Sequence, residues 1–143
     1  MKEIYFGCSI SGGRDDAEIY KSLIDYTKTK ATVLSEIFAD DTLTPAGSPG
    51  PSSEIYAKDM GWIGQAHGLI MEVTTPSLGV GYEIGRAEAM GKPILALFRD
   101  TGERKLSAMI DGSPGTSVVY YNKLSVAYTA ISNFILGLEQ KDA

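Results

Sequence analysis

An apolar run from Gly68 to Val73 breaks into Thr74-Thr75-Pro76-Ser77-Leu78-Gly79-Val80-Gly81-Tyr82-Glu83-Ile84-Gly85-Arg86-Ala87. The run reads as a buried strand, and the segment after Pro76 turns helical and stays so through Met90. A strand that dissolves into glycines before opening a helix puts its side chains at the carboxyl end of a sheet. In open α/β sheets that end is where ligands bind. Glu83 is expected in the first turn of this helix, where the positive end of the macrodipole favours an ionised carboxylate. A carboxylate in a glycine-lined crevice points to a nucleophile or a base.

The rest of the chain repeats the strand-then-helix alternation. Ile4 to Cys8 reads as a strand, followed by Ser9-Ile10-Ser11-Gly12-Gly13 and then a helix from Arg14 to about Thr29, with Tyr20, Leu23 and Ile24 on its apolar face. Thr32 to Phe38 is apolar and β-branched, hence a second strand. Asp40 to Ser53 carries Pro45, Pro49 and Pro51 and reads as a mobile loop or lid. Glu54 to His67 is expected to be helical. After the Glu83 helix come a strand at Pro93–Phe98, a short helix at Leu106–Ile110, a strand at Ser117–Tyr121 and a closing helix at Leu124–Leu138. Five strands separated by helices make a parallel, doubly wound α/β sheet, and right-handed crossovers give the order 2-1-3-4-5. Residues 1–143 read as a single domain, without internal repeats.

Composition narrows the partners. The net charge is −5 and the 13 basic residues are scattered, which speaks against a nucleic-acid polymer or an anionic membrane as partner. Apolar and charged fractions of 43% and 22% are those of an ordinary soluble globular protein. The single cysteine, Cys8, has no intrachain disulfide partner, and neither a leader nor a long apolar span is visible, so a cytoplasm-like compartment is expected, with nuclear access in a eukaryote. One histidine and one cysteine leave a zinc site almost no ligand supply, and no metal or cofactor is expected.

The predicted strand order sets the loops after Cys8 and after Val73 on one crevice. The Ser9–Gly13 loop precedes a helix N-terminus and offers a hydroxyl and two flexible glycines, which suits a phosphate. A plain tight turn accounts for the same residues equally well. In the second loop, Gly79 and Gly81 let a sugar ring lie against the backbone. Asp59, one turn after Ile55 and four residues before Ile63, is turned toward the core side of its helix. An inward acid costs free energy unless paired or functional, and pairing with Lys58 or a solvated position remains the alternative. Two carboxylates on one crevice can have their pKa values pushed apart, as glycosidic-bond cleavage requires. His67 reads as a turn residue, Cys8 as a small buried residue, Trp62 as a packing residue, and Arg86 and Arg99 as ion-pair partners.

Taken together, Ile4-Tyr5-Phe6, Ser9-Ile10, Gly12-Gly13-Arg14, Asp59 with Trp62, Val73-Thr74, Pro76 to Ala87, Leu97-Phe98-Arg99 and Leu106 to Ile110 resemble the nucleoside 2-deoxyribosyltransferase family. Within it they are most similar to the 2′-deoxynucleoside 5′-monophosphate N-glycosidases. The resemblance runs nearly end to end. It implies a flavodoxin-like (Rossmann-like) three-layer sandwich, a homodimer, and cleavage of a deoxynucleotide's N-glycosidic bond through a glycosyl-enzyme intermediate. On this resemblance Glu83 is the nucleophile, Asp59 the acidic partner and Tyr5, at the end of the first strand, the hydroxyl near the sugar. Ser9 and Ser77 hold the 5′-phosphate with the amides of Gly12 and Gly13 nearby. Arg14, Gly79, Gly81 and Met109 complete the substrate-binding set, and Ser107 is donated from the neighbouring subunit.

The sequence departs from that pattern in places. Cys8 stands where these glycosidases tend to have glycine, and Ser11 where a basic residue often sits, which moves the cationic task to Arg14 or Arg86. The ending Gln140-Lys141-Asp142-Ala143 lacks the C-terminal asparagine with which transferases contact a 5′-hydroxyl. Base exchange by a transferase, a ribonucleotide N-glycosidase of the CMP type and a non-catalytic nucleotide-binding module are the alternatives.

Overall fold

A computed structural model describes residues 1–9, 16–35 and 50–141. The elements run β1 (Glu3–Gly7), α1 (Ala17–Lys28), β2 (Thr32–Val33), α2 (Ser52–Gln65), β3 (Gly68–Glu72), α3 (Leu78–Ala89), β4 (Ile94–Arg99), α4 (Ala108–Asp111), β5 (Ser117–Tyr121) and α5 (Leu124–Gln140). All five strands pair in parallel in one sheet ordered β2-β1-β3-β4-β5, as expected from the crossover rule. Tyr5 stands opposite Leu69 and Leu69 opposite Ile94, which aligns the carboxyl ends of β1, β3 and β4.

The three central strands are apolar apart from Glu3, Glu72 and Arg99 at their ends, because both faces of the sheet are covered. Ile4, Phe6, Leu69, Ile70 and Leu97 have no exposed surface. On one side α1 packs on α5, with Tyr26 stacked on Tyr128 at 4.3 Å between centroids and its hydroxyl 2.6 Å from Ser132 Oγ. On the other α2 packs against α3. Gly68 admits α5 closely: a Cβ there would stand 3.0 Å from both Leu138 and Phe134. Among the described residues no helix is long and apolar enough to cross a membrane.

Several boundaries differ from the sequence expectation. β2 covers only Thr32–Val33, although the Leu34 amide still bonds the Ile4 carbonyl, and 36–38 lie outside the described residues. The helix expected from Arg14 is seen from Ala17, residues 10–15 being outside those described. Of the expected loop at 40–53, residues 40–49 are likewise outside, and Ser52 and Ser53 already belong to α2. Pro51, locked at φ −65°, accepts the Glu54 and Ile55 amides and so starts the helix two residues early. That helix stops at Gln65 because His67 is held to β1. Its amide bonds the Glu3 carbonyl at 2.8 Å, and its Nδ1 accepts the Glu3 amide at 2.9 Å.

One acid escaped the sequence reading. Glu72, 1% exposed at the end of β3, accepts the Thr74 amide at 2.8 Å, the Thr74 hydroxyl at 2.9 Å and the Tyr121 hydroxyl. Burial raises its pKa while these donors oppose the rise. Thr74 Oγ1 also accepts the Arg99 amide, and Arg99 pairs with Asp16 at 2.7 Å, so this network ties α1, β3, β4 and β5 together.

Candidate active site

Ser77 decides where α3 begins. It is extended, and its Oγ accepts the Val80 amide at 3.3 Å as the N-cap. Helix α3 therefore starts at Leu78 and carries Glu83 as its sixth residue. The expected place in the first turn is thus corrected: Glu83 lies one turn further in, where the macrodipole has largely faded. Burial and two neighbours govern this carboxyl instead.

The first neighbour is Tyr5. It is the middle residue of β1 rather than its end, has no exposed surface, and donates its hydroxyl to Glu83 Oε2 at 2.6 Å. Burial, followed by the charges of Glu83 and Asp59, pushes the Tyr5 phenol far above its ordinary range, so it remains a donor at every working pH. The second neighbour is Asp59, half-buried on α2 and hydrogen-bonded to Glu83. Burial raises the Glu83 pKa to about 7; the Tyr5 hydroxyl opposes this, while the charge of Asp59 and the bond to it add to it. Asp59 is raised by burial, against the opposing pull of Lys58 and of the bond from Glu83.

Two hydrogen-bonded carboxyls cannot both ionise freely, so they hold one proton between them near neutral pH. The pair, rather than either carboxyl alone, is the titrating unit. The Lys58 charge acts on Asp59, as the pairing alternative expects, yet the side chain also turns inward to Glu83.

The pair opens into a crevice of about 220 Å³, lined also by Ser52, Ile55, Tyr56, Met60, Gly79 and Tyr82. On the other flank of α3 lies a larger cavity of about 680 Å³, lined among others by Thr75, Ser77, Gly81, Ile84, Leu106, Ser107 and Met109. The sequence-predicted residues thus fall into two groups: Tyr5, Asp59, Glu83 and Gly79 on one flank, Ser77, Gly81, Ser107 and Met109 on the other. Ser107 caps α4 by accepting the Met109 amide at 3.2 Å, which leaves its proton available for a ligand. Ser9 is fully buried, and its Oγ has no partner among the described residues, so this conformation does not present it to a ligand. Gly12, Gly13 and Arg14 lie outside the described residues.

Sequence reasoning missed the rim. Arg86 was expected in an ion pair; instead its Nη1 donates to the hydroxyls of Tyr56 at 2.9 Å and Tyr82 at 2.8 Å. The available signal was spacing: Tyr82 and Arg86 are four apart on one helix, and Tyr56 precedes Asp59 by three on another. Arg99 does form its expected ion pair, and Trp62 packs on the core with Lys58 5.4 Å from its ring centroid. Among the described residues no group of three or more histidine, cysteine or acidic side chains is placed to hold a metal ion.

Fold and site together define a flavodoxin-like α/β protein with two carboxyls of raised pKa on one crevice beside its topological switch point. A family model described as nucleoside 2-deoxyribosyltransferase matches residues 4–126, and the chain belongs to that family. Among curated relatives, the 5-hydroxymethyl-dUMP N-hydrolase of Mus musculus is 47% identical over 112 residues, covering 77% of this chain and 65% of that protein. The enzyme of the same name from Homo sapiens is 44% identical, covering 77% and 64%. A putative 2′-deoxynucleoside 5′-phosphate N-hydrolase 1 of Trichoplax adhaerens is 42% identical, covering 78% and 76%. The chain therefore spans slightly less than two thirds of the mouse and human relatives. Among solved structures, the CMP N-glycosidase BcmB of Clostridium botulinum aligns over 93% of this chain and 99% of its own, with a TM-score of 0.65 at 19% identity, a likeness of fold.

Proposed function

We propose that this protein hydrolyses the N-glycosidic bond of 2′-deoxynucleoside 5′-monophosphates, releasing free base and 2-deoxyribose 5-phosphate through a covalent intermediate on Glu83. The observation that carries the reading is the hydrogen-bonded Glu83–Asp59 pair under the Tyr5 hydroxyl. An inverting glycosidase holds its carboxyls roughly 6.5–9.5 Å apart to admit a water between them. Here both carboxyls line one small crevice and act on each other, the close arrangement that suits direct attack by one of them. The curated relatives, named as N-hydrolases of 5-hydroxymethyl-dUMP and of deoxynucleoside 5′-phosphates, support the substrate class.

The proton inventory fits two steps. With the shared proton on Asp59, Glu83 is a carboxylate and Asp59 an acid. Glu83 then attacks C1′ as the bond to the base breaks, and Asp59 gives its proton to the departing nitrogen. Asp59, now ionised, takes a proton from water, whose hydroxide opens the ester and frees Glu83. Tyr5 holds one Glu83 oxygen throughout and crowds the sugar face where a 2′-hydroxyl would lie.

Ser77 is a phosphate ligand in this proposal: it caps the N-terminus of α3, and its Oγ lies 3.9 Å from the Cβ position of Gly79, which lines the carboxyl crevice. Ser107 opens on the flank of α3 away from its own chain's carboxyls, which favours its action on a second copy. Leu78 and Met109, 96% and 84% exposed beside the larger cavity, supply apolar surface for such a homodimer. A cytoplasm-like location accords with the buried Cys8 thiol. The test is to incubate the protein with each deoxynucleoside monophosphate, 5-hydroxymethyl-dUMP first, beside the matching nucleoside and ribonucleotide, and to measure released base by chromatography. Release from the deoxynucleotides alone supports the proposal. Release from unphosphorylated nucleosides, or base exchange without net hydrolysis, overturns it in favour of transfer.

A further inference from the structure

Helix α2 is unevenly anchored. Its buried residue is Ile63, near the C-terminal end, with Ala66 buried just beyond. In the first half, Ser52, Ser53, Glu54, Tyr56, Ala57 and Lys58 are exposed, and only Ile55 is partly covered. Between Asp59 and Ile63 stands Gly61, with open space for 4 Å around the place a Cβ would take, so no packing demands a glycine there. A glycine inside a helix costs up to about 1 kcal/mol relative to alanine and loosens the segment beyond it. The part of α2 before Gly61, which ends with Asp59 and Met60, therefore needs a tether.

Arg86 supplies one. Its Nη1 reaches across from α3 to the Tyr56 hydroxyl on α2 at 2.9 Å, while also holding Tyr82 of its own helix at 2.8 Å. The two rings meet at 6.3 Å and 59°, and the guanidinium carbon lies 5.7 Å from the Tyr82 centroid. Tyr56 is one turn before Asp59; Tyr82 and Arg86 flank Glu83. We propose that Tyr56, Arg86 and Tyr82 form a positioning clasp that fixes the first half of α2 against α3 and so sets the Asp59–Glu83 separation. The proposal deepens the reading of these acids as the reacting pair, and rests on it for its kinetic consequence.

The clasp can be tested by sign. The groups that act on Glu83 are its burial, Tyr5 from β1 and Asp59 from α2; Lys58 acts on Asp59, and Arg86 donates to the Tyr56 and Tyr82 hydroxyls. If Arg86 worked only as a charge, removing it would raise the Glu83 pKa. If it works as a clasp, removing it lets Asp59 drift and water enter, and the Glu83 pKa falls, by about one unit for a partial loss of a like-charge neighbour and burial.

The readout is a carbon NMR titration of carboxyl-labelled glutamate, with Glu83 assigned by its absence in Glu83→Gln. Arg86→Met and the double variant Tyr56→Phe/Tyr82→Phe should both lower the Glu83 midpoint, and Arg86→Lys should restore part of the difference. The double variant keeps the charge and carries the test if Arg86→Met fails to fold. An unchanged or raised midpoint in the folded variants overturns the clasp, whether or not the protein hydrolyses nucleotides. Where hydrolysis is seen, kcat should fall about tenfold with KM little changed, because a displaced Asp59 protonates the departing base poorly, while the acid limb of the pH profile moves down with the Glu83 midpoint. A raised KM with an unmoved midpoint would make these side chains substrate contacts and overturn the proposal.

Discussion

Removing one oxygen from the core, as Tyr5→Phe, tests the electrostatic account of the site most sharply. The Tyr5 hydroxyl is fully buried and donates to Glu83 at 2.6 Å, a bond that holds the carboxylate form and opposes the upward push of burial. Hydrogen bonds to charged groups contribute about 1.5–3 kcal/mol. At 1.36 kcal/mol per unit, losing this one should raise the Glu83 pKa by roughly one to two units above its starting value of about 7. Glu83 attacks as a carboxylate, so the acid limb of kcat/KM should move up by the same amount. At pH 7 the ionised fraction falls from about half to between about a tenth and a hundredth, cutting activity roughly five- to fiftyfold, with recovery toward pH 9. The assay is a pH–rate profile of base release, with near-ultraviolet circular dichroism to confirm that phenylalanine fills the pocket. An acid limb that stays put or moves down would refute the reasoning, because the hydroxyl would then not be stabilising the reacting carboxylate.

Three further outcomes are expected. Glu83 has a folded pKa raised above its unfolded value, so its contribution to stability is full below about pH 4.5 and is lost as pH rises through about 7. Glu83→Gln should therefore be the more stable protein at pH 8, with the difference closing by pH 4.5 in thermal melts; a constant difference across that range would contradict the raised pKa. Gly64, on the outer face of α2 with open space around its Cβ position, should accept alanine with a gain of about 0.5–1 kcal/mol, read by urea denaturation; destabilisation would mean that α2 is not the regular helix described. Ser107→Ala should mainly raise KM for nucleotides. Mixing it with inactive Glu83→Ala should regenerate activity, since one site of a hybrid dimer then carries both residues, and the absence of complementation would place Ser107 in its own chain's site or in none.

How much of this was legible beforehand depends on what each residue's behaviour hangs on. The sheet order was legible because strands and helices alternate along the chain and right-handed crossovers then leave the order 2-1-3-4-5. Ser117–Tyr121 was bounded correctly by its flanking turn residues. The start of α3 was not, since Ser77 drew attention as a phosphate ligand while its Oγ was also the helix cap. That cap displaced Glu83 from the first turn and transferred control of its charge from the macrodipole to burial. Glu83, Asp59 and Tyr5 were named from the sequence, but the placement of their shared proton depends on desolvation, which no spacing records. Of the Arg86 bridge, only the Tyr82 half was marked, by its spacing of four. The distance between α2 and α3 is set by the sheet beneath them, so Tyr56 and Arg86, thirty residues apart, carry no local sign of their contact.

The central claim is that Glu83 becomes covalently attached to the sugar. Rapid acid quenching of a reaction run with Asp59→Asn and a deoxynucleotide whose base leaves without protonation, so that the ester should form but hydrolyse slowly, followed by peptide mass spectrometry, tests it directly. The account predicts a deoxyribose 5-phosphate adduct on the peptide bearing Glu83 and none in Glu83→Gln. A reaction that releases base at full rate with no adduct on Glu83, or with the adduct on another residue, would contradict it.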